Sequence, residues 1–117
     1  MTNQVERICK RQMKRIVKAD RLDALLKTGV LINKTPLMKD GVLHYEVEYI
    51  RYLPISYESL VNRLIKTRYT DSAEFAVINK AIENPSNAEY VEYNAFRNVC
   101  KESAREYIAE RTALFGK

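Results

Sequence analysis

The chain contains no tryptophan, one histidine, two cysteines, three glycines and three prolines. Each scarcity removes a class of function. Gly29, Gly41 and Gly116 lie too far apart to form a glycine-rich loop around a phosphate. Cys9, Cys100 and His44 are too few to make a zinc site, and two cysteines are no disulfide framework. With so little glycine and proline, and with 46% apolar residues, the chain is neither low-complexity nor disordered. No run approaches the ~18 apolar residues that cross a bilayer, and no apolar stretch follows the first charges. A soluble chain without an export signal is therefore expected, built as a single domain over residues 1–117 around one core.

Catalytic patterns are missing as well. His44 begins a strand-like run, and no serine, cysteine or paired carboxylate is placed beside it by any recognisable spacing. The acids are scattered as helix caps and surface partners rather than paired for general acid and base work. No catalytic residue, metal ligand or cofactor is assigned, and the chain is read as a non-enzyme.

What is present is a block of one sign of charge. Residues 1–28 hold eight Lys or Arg against three acids, which accounts for the whole net charge of +5; the remainder has equal numbers of each sign. Such a block raises the local concentration of phosphates or acidic protein surfaces. From Val5 to about Ala19 the apolar residues Val5, Ile8, Cys9, Met13 and Ile16 recur at helical spacing. A helix there places Arg7, Lys10, Arg11, Lys14, Arg15, Lys18 and Arg21 on a partner-binding basic face. An acidic protein surface in an assembly is the first reading of its partner, and a nucleic-acid backbone the second. A membrane is disfavoured, because the apolar side lacks the bulky content that interfacial helices use. A solvated face with no partner remains the plain alternative.

The rest of the pattern is α+β. Asp20 is placed to cap a short helix over Arg21 to Lys27 that Gly29 ends. Val30 to Ile32 is a short apolar run with β-branched residues at both ends, and HYEVEYIRY over His44 to Tyr52 alternates, with Tyr45, Val47 and Tyr49 on one face. Asp40-Gly41 between them predicts a hairpin turn, giving an antiparallel hairpin over about 30–53, a two-stranded or three-stranded unit that leans on helices. Three C-terminal helices follow, over about 57–67, 71–83 and 87–114. Ser56 caps the first, while Asp71 with Glu74 and Ser86 with Glu89 match capping boxes for the other two. Cys9 and Cys100 fall on buried helical stripes, as small apolar residues of a reducing compartment, and a disulfide between the terminal helices is the second reading.

Eight tyrosines are the second oddity of composition. Tyrosine joins an apolar ring to a polar tip and suits both core edges and interfaces. Tyr45, Tyr69 and Tyr93 are assigned to the core edge, and Tyr49, Tyr52 and Tyr90 are the interface candidates.

Residues Tyr57 to Ala104 carry a further pattern. A helix ends in Arg68-Tyr69, Thr70 follows, then Glu74-x-Ala76, a spacer, Glu89-Tyr90-x-x-Tyr93, and Cys100. This stretch resembles a family of short uncharacterised proteins encoded by phages and prophages of gut bacteria, often near tail or other virion genes. The run VINKAIE, Val77 to Glu83, departs from the family's Leu-Arg-Gln run. The resemblance implies a phage context and no catalytic residues. On it the chain is expected to be a virion structural or assembly protein in the tail, neck or head shell. It would dock in multiple copies on other virion proteins, in the virion and, during assembly, in the host cytoplasm. A nucleic-acid-binding regulator using the basic helix, or an inhibitor of a host protein, are the alternatives.

Overall fold

The computed structural model describes residues 2–116. The order is α1 (Thr2–Cys9), β1 (Lys10–Lys18), a 3-10 turn (Ala19–Arg21), α2 (Leu22–Leu25), β2 (Gly29–Lys39), β3 (Val42–Tyr52), α3 (Tyr57–Lys66), α4 (Asp71–Glu83) and α5 (Ala88–Phe115). The expected α+β class, the hairpin and the three C-terminal helices are all present. The molecule is long, 70 × 25 × 17 Å, with a radius of gyration of 19.9 Å. A compact chain of this length has about 13 Å. The excess arises because the sheet projects from the helices instead of lying across them.

The three antiparallel strands run in the order β1-β3-β2. The hairpin forms as its turn chemistry demands: Asp40 and Gly41 both take positive φ, 52° and 75°, as a type I′ turn requires. Alternation along β3 then sends Tyr45, Val47 and Tyr49 to one face, where Met13, Val17 and Leu31 join them and Leu22 and Leu25 of α2 close the cluster. On the opposite face, at the other end of the strand, Ile50 and Tyr52 enter the larger core of α1, α3 and α5, with Leu60, Leu64, Cys100 and Ala104 fully buried.

The largest correction is at the N-terminus, where the basic helix expected over Val5 to Ala19 stops at Cys9. Residues 10–18 are instead an edge strand, pairing from Lys10 opposite Tyr52 to Lys18 opposite His44. The physical reason is non-local. β3 carries apolar side chains on both faces and, with β2 on one side only, would leave a row of unpaired amides and carbonyls on the other. As a strand, residues 10–18 satisfy that row and set Met13 opposite Tyr49 and Val17 opposite Tyr45. A second correction concerns the short helix. Asp20 makes no side-chain cap; it sits in the 3-10 turn, and α2 is a single turn. Gly29 does not stop that helix but opens β2, and a Cβ there would lie 3.0 Å from Cδ2 of Tyr49 and 3.1 Å from the Ile50 carbonyl. Glycine at this strand position lets the Tyr49 ring lie against the backbone.

The C-terminal helices begin with side-chain caps. Ser56 accepts from the Ser59 amide at 3.2 Å, as expected. The other two caps sit one residue from the expected Asp71 and Ser86: Thr70 accepts from the Ala73 amide at 3.1 Å, and Asn87 from the Tyr90 amide at 2.9 Å. Asp71 is released to pair with Lys66 at 2.6 Å. Asn87→Ala should therefore lower stability by about 1 kcal/mol, and Ser86→Ala by less than roughly 0.5 kcal/mol, as read from urea midpoints. A larger loss at Ser86 than at Asn87 would place the cap at Ser86.

The C-terminal half of α5 grips the base of the sheet. Tyr107 donates its hydroxyl to the Leu53 carbonyl at 2.8 Å, and Arg111 donates to the Leu53 and Ile55 carbonyls at 2.9 and 3.0 Å. Glu110 accepts from Tyr52 at 3.0 Å and pairs with Lys10 at 2.7 Å. At the other end of α5, Glu74 of α4 bonds Lys66 of α3 at 2.7 Å and accepts from the Tyr93 hydroxyl. Glu74 is held below the usual carboxylate range, by the Lys66 bond first and the Tyr93 bond second.

Candidate functional site

The strand conformation of residues 10–18 divides the basic face predicted for a helix. Successive residues point to opposite faces of a sheet. Lys10 and Lys14 fall on one side, where both are engaged: Lys10 by Glu110, and Lys14 by Glu46 and Glu48 at 3.4 and 3.9 Å. These two leave the partner-binding set as first drawn. Arg11 and Arg15 fall on the other side and share it with Arg51 of β3, which lies directly opposite Arg11 in the register.

Around these arginines three open clefts run into one another. The first, about 600 Å³, lies between the sheet and α2 and is lined by Arg15, Lys18, Arg21 and Arg51 with Val17, Leu25, Thr28 and Tyr49. The second, about 300 Å³, shares Arg51 with it and adds Arg11 and Arg63. The third, about 450 Å³, shares Arg11 and Arg63 with the second and ends at Arg7 and Lys66. No acidic residue lines any of the three. Arg7, Arg11, Arg15, Lys18, Arg21, Arg51 and Arg63 make no salt bridge among the described residues.

Five of the seven basic residues named from sequence thus lie together, and two that sequence missed, Arg51 and Arg63, complete the channel. Arg51 was legible in principle, since the alternation that puts Tyr45, Val47 and Tyr49 on one face of β3 puts Arg51 there too. Arg63 comes from α3, and only the packing of α3 against α1 brings it to the channel.

The tyrosine candidates are corrected by burial. Tyr49 is 3% exposed under α2, with its hydroxyl 3.5 Å from the Met13 sulfur, and Tyr52 is 6% exposed between Tyr107 and Phe115. Neither is free to meet a partner, since α2 covers the first and α5 the second. Tyr90 is half-buried and stacks on Tyr93. The exposed apolar side chains lie elsewhere. Leu37, Met38, Val42 and Leu43 flank the hairpin turn, and Phe75, Ile78 and Ile82 form a stripe on α4, with Phe75 and Ile82 at 68% and 77% exposure.

Cys9 and Cys100 are free and buried. Burial pushes both thiols up, Cys100 to about 11, so neither is a ready nucleophile. Among the described residues no three His, Cys, Asp or Glu side chains converge as metal ligands, and no helix is long and apolar enough to cross a membrane. No family model matches the chain, and no curated protein or solved structure shows similarity to it.

Proposed function

We propose that the chain is a structural or assembly subunit of a bacteriophage particle that acts through protein contacts and not through catalysis. The observation that carries this reading is the placement of its exposed apolar side chains. Those of the hairpin end lie at the tip of a sheet that projects from the helices, and those of α4 lie beside the N-terminal half of α5, away from the sheet. Two separated apolar surfaces on a long, narrow body suit a subunit that links neighbours. The sheet's edges do not suit this task. β1 is lined with cations, so two copies repel, and β2 is interrupted by Pro36 and by a bulge between Leu31 and Asn33. A neighbouring virion subunit is therefore met at the hairpin tip by side-chain packing. The resemblance over Tyr57 to Ala104 supplies the phage context.

The test is mass spectrometry of density-purified particles from cells expressing the chain. The wild-type chain is expected at stoichiometric levels. The double variant Met38→Asp, Leu43→Asp is expected to be lost from particles while keeping its circular dichroism, since both side chains are already exposed. Absence of the wild-type chain from particles overturns the reading in favour of a regulator or an inhibitor of a host protein.

A further inference from the structure

We infer that the channel formed by Arg15, Arg51, Arg11 and Arg63, extended by Arg21 and Arg7, is a binding site for the sugar–phosphate backbone of a nucleic acid. It stands on different residues from the assembly surfaces above and does not depend on them. Three observations carry it. The first is the cross-strand pair. Arg11 and Arg51 are direct partners in the register, and like charges so placed destabilise a sheet unless an anion lies between or beside them. The chain has fifteen acids, and none lines the clefts around this pair.

The second is the kind of cation the channel holds. Elsewhere lysines and arginines alike pair with carboxylates of the chain itself, as at Lys14, Lys80, Arg68 and Arg105, whereas six of the seven unpaired cations of the channel are arginines. A guanidinium offers a planar fork that matches phosphate oxygens, is always charged, and gives up hydration more readily than an ammonium. The third is shape. Three clefts in series make a path rather than a pocket, and Arg11 to Lys18 alone spans roughly 23 Å at the rise of a strand. A linear polyanion with regularly spaced charge fits a path of that kind.

An acidic protein is the competing occupant, and the surroundings favour it less. Protein interfaces need a desolvated apolar centre. Of the large exposed apolar side chains, Ile16 is the one lining the channel; Ile32 sits at the bulge of β2, and the others at the hairpin end and on α4 and α5. No exposed aromatic lines the clefts to stack on a base, and Tyr49 is buried. The contact is therefore to the backbone, without sequence preference.

The experiment is fluorescence anisotropy with a labelled random-sequence duplex, and with the corresponding single strand, between 50 and 300 mM salt (about the range over which such contacts weaken most). If about five phosphates are neutralised, affinity should fall by roughly four decades per tenfold rise in salt. Arg15→Gln, Arg51→Gln, Arg63→Gln combined should weaken binding by about a hundredfold. Lys14→Gln, Lys80→Gln, Lys101→Gln, which removes the same charge elsewhere, should weaken it less than about fivefold. Circular dichroism of both variants controls for folding. Equal weakening by the two triple variants would mean that net charge alone attracts the polymer and would overturn the site. So would the absence of salt-dependent binding, or tighter binding of a polyglutamate peptide than of either nucleic acid, which would assign the channel to an acidic protein.

Discussion

Replacing Tyr107 by alanine is expected to lower stability by about 3–5 kcal/mol, the largest loss from a single substitution outside the helical Leu60 and Leu64. Tyr107 is 2% exposed and stacks on Tyr52 with ring centroids 6.0 Å apart. Its hydroxyl lies 2.8 Å from the Leu53 carbonyl and 3.2 Å from the Cys9 carbonyl, so a single side chain of α5 holds both the start of β1 and the exit of β3. The loss is a large part of the 5–15 kcal/mol that ordinarily holds a domain together. A fall in Tm of roughly 15 °C should follow. Tyr107→Phe separates the two contributions. It keeps the ring and its stacking, and the Leu53 carbonyl still receives Arg111 at 2.9 Å. Its cost should be about 1 kcal/mol, that of one neutral hydrogen bond. If the phenylalanine variant lost as much as the alanine variant, the hydroxyl bridge and not the ring would be what joins sheet to helices.

That junction also explains which parts of the fold could be read from sequence. The hairpin was legible because its determinants are local: Asp40-Gly41 fixes the turn, and the alternation of HYEVEYIRY fixes which side chains point inward. The three C-terminal helices were legible for the same reason, and the caps slipped by one residue only because Thr70-Asp71 and Ser86-Asn87 each place two good capping residues side by side. Residues 10–18 were different. Ile8, Cys9, Met13 and Ile16 fit a helix, while Arg11, Met13, Arg15 and Val17 alternating with Lys10, Gln12, Lys14, Ile16 and Lys18 fit a strand equally well. What decided between the two periods was the open edge of β3, more than 25 residues away in the chain. The backbone edge that a two-stranded hairpin leaves open on β3 is the signal that would have found it, because its unpaired amides and carbonyls need a second strand.

The same choice of period determined the candidate site. A helix would have kept Lys10 and Lys14 with Arg11 and Arg15 on one cationic side, whereas the pleat sorts them into an engaged lysine face and an unengaged arginine face. Tyr49 and Tyr52 are buried by helices instead, α2 over the first and α5 over the second, which no local pattern within β3 announces.

At alkaline pH the chain is expected to unfold cooperatively, before pH 12. Burial, aided by the bond to Glu74, pushes the Tyr93 phenol up to about 12, and burial pushes Tyr107 to about 12 and the Cys100 thiol to about 11. A group whose folded pKa is raised keeps its proton more firmly in the folded chain than in the unfolded one. Its contribution is complete below the unfolded pKa, near 9 for the thiol and 10 for the phenols, and is lost as pH climbs through that value towards the folded one. Each of the three removes on the order of 2 kcal/mol over its window, and together they approach the whole stability of an ordinary domain. Tyrosinate absorbance followed alongside circular dichroism reads this directly. Tyr93 and Tyr107 should ionise only in step with loss of helix signal. In Tyr93→Phe the ring contact with Tyr69, 5.1 Å between centroids, is retained while one titration is removed. That variant should therefore show a shallower fall in stability between pH 10 and 12. A smooth titration of all eight tyrosines with unchanged circular dichroism would mean that both phenols reach solvent in the folded chain, and that α5 does not seal the junction it spans.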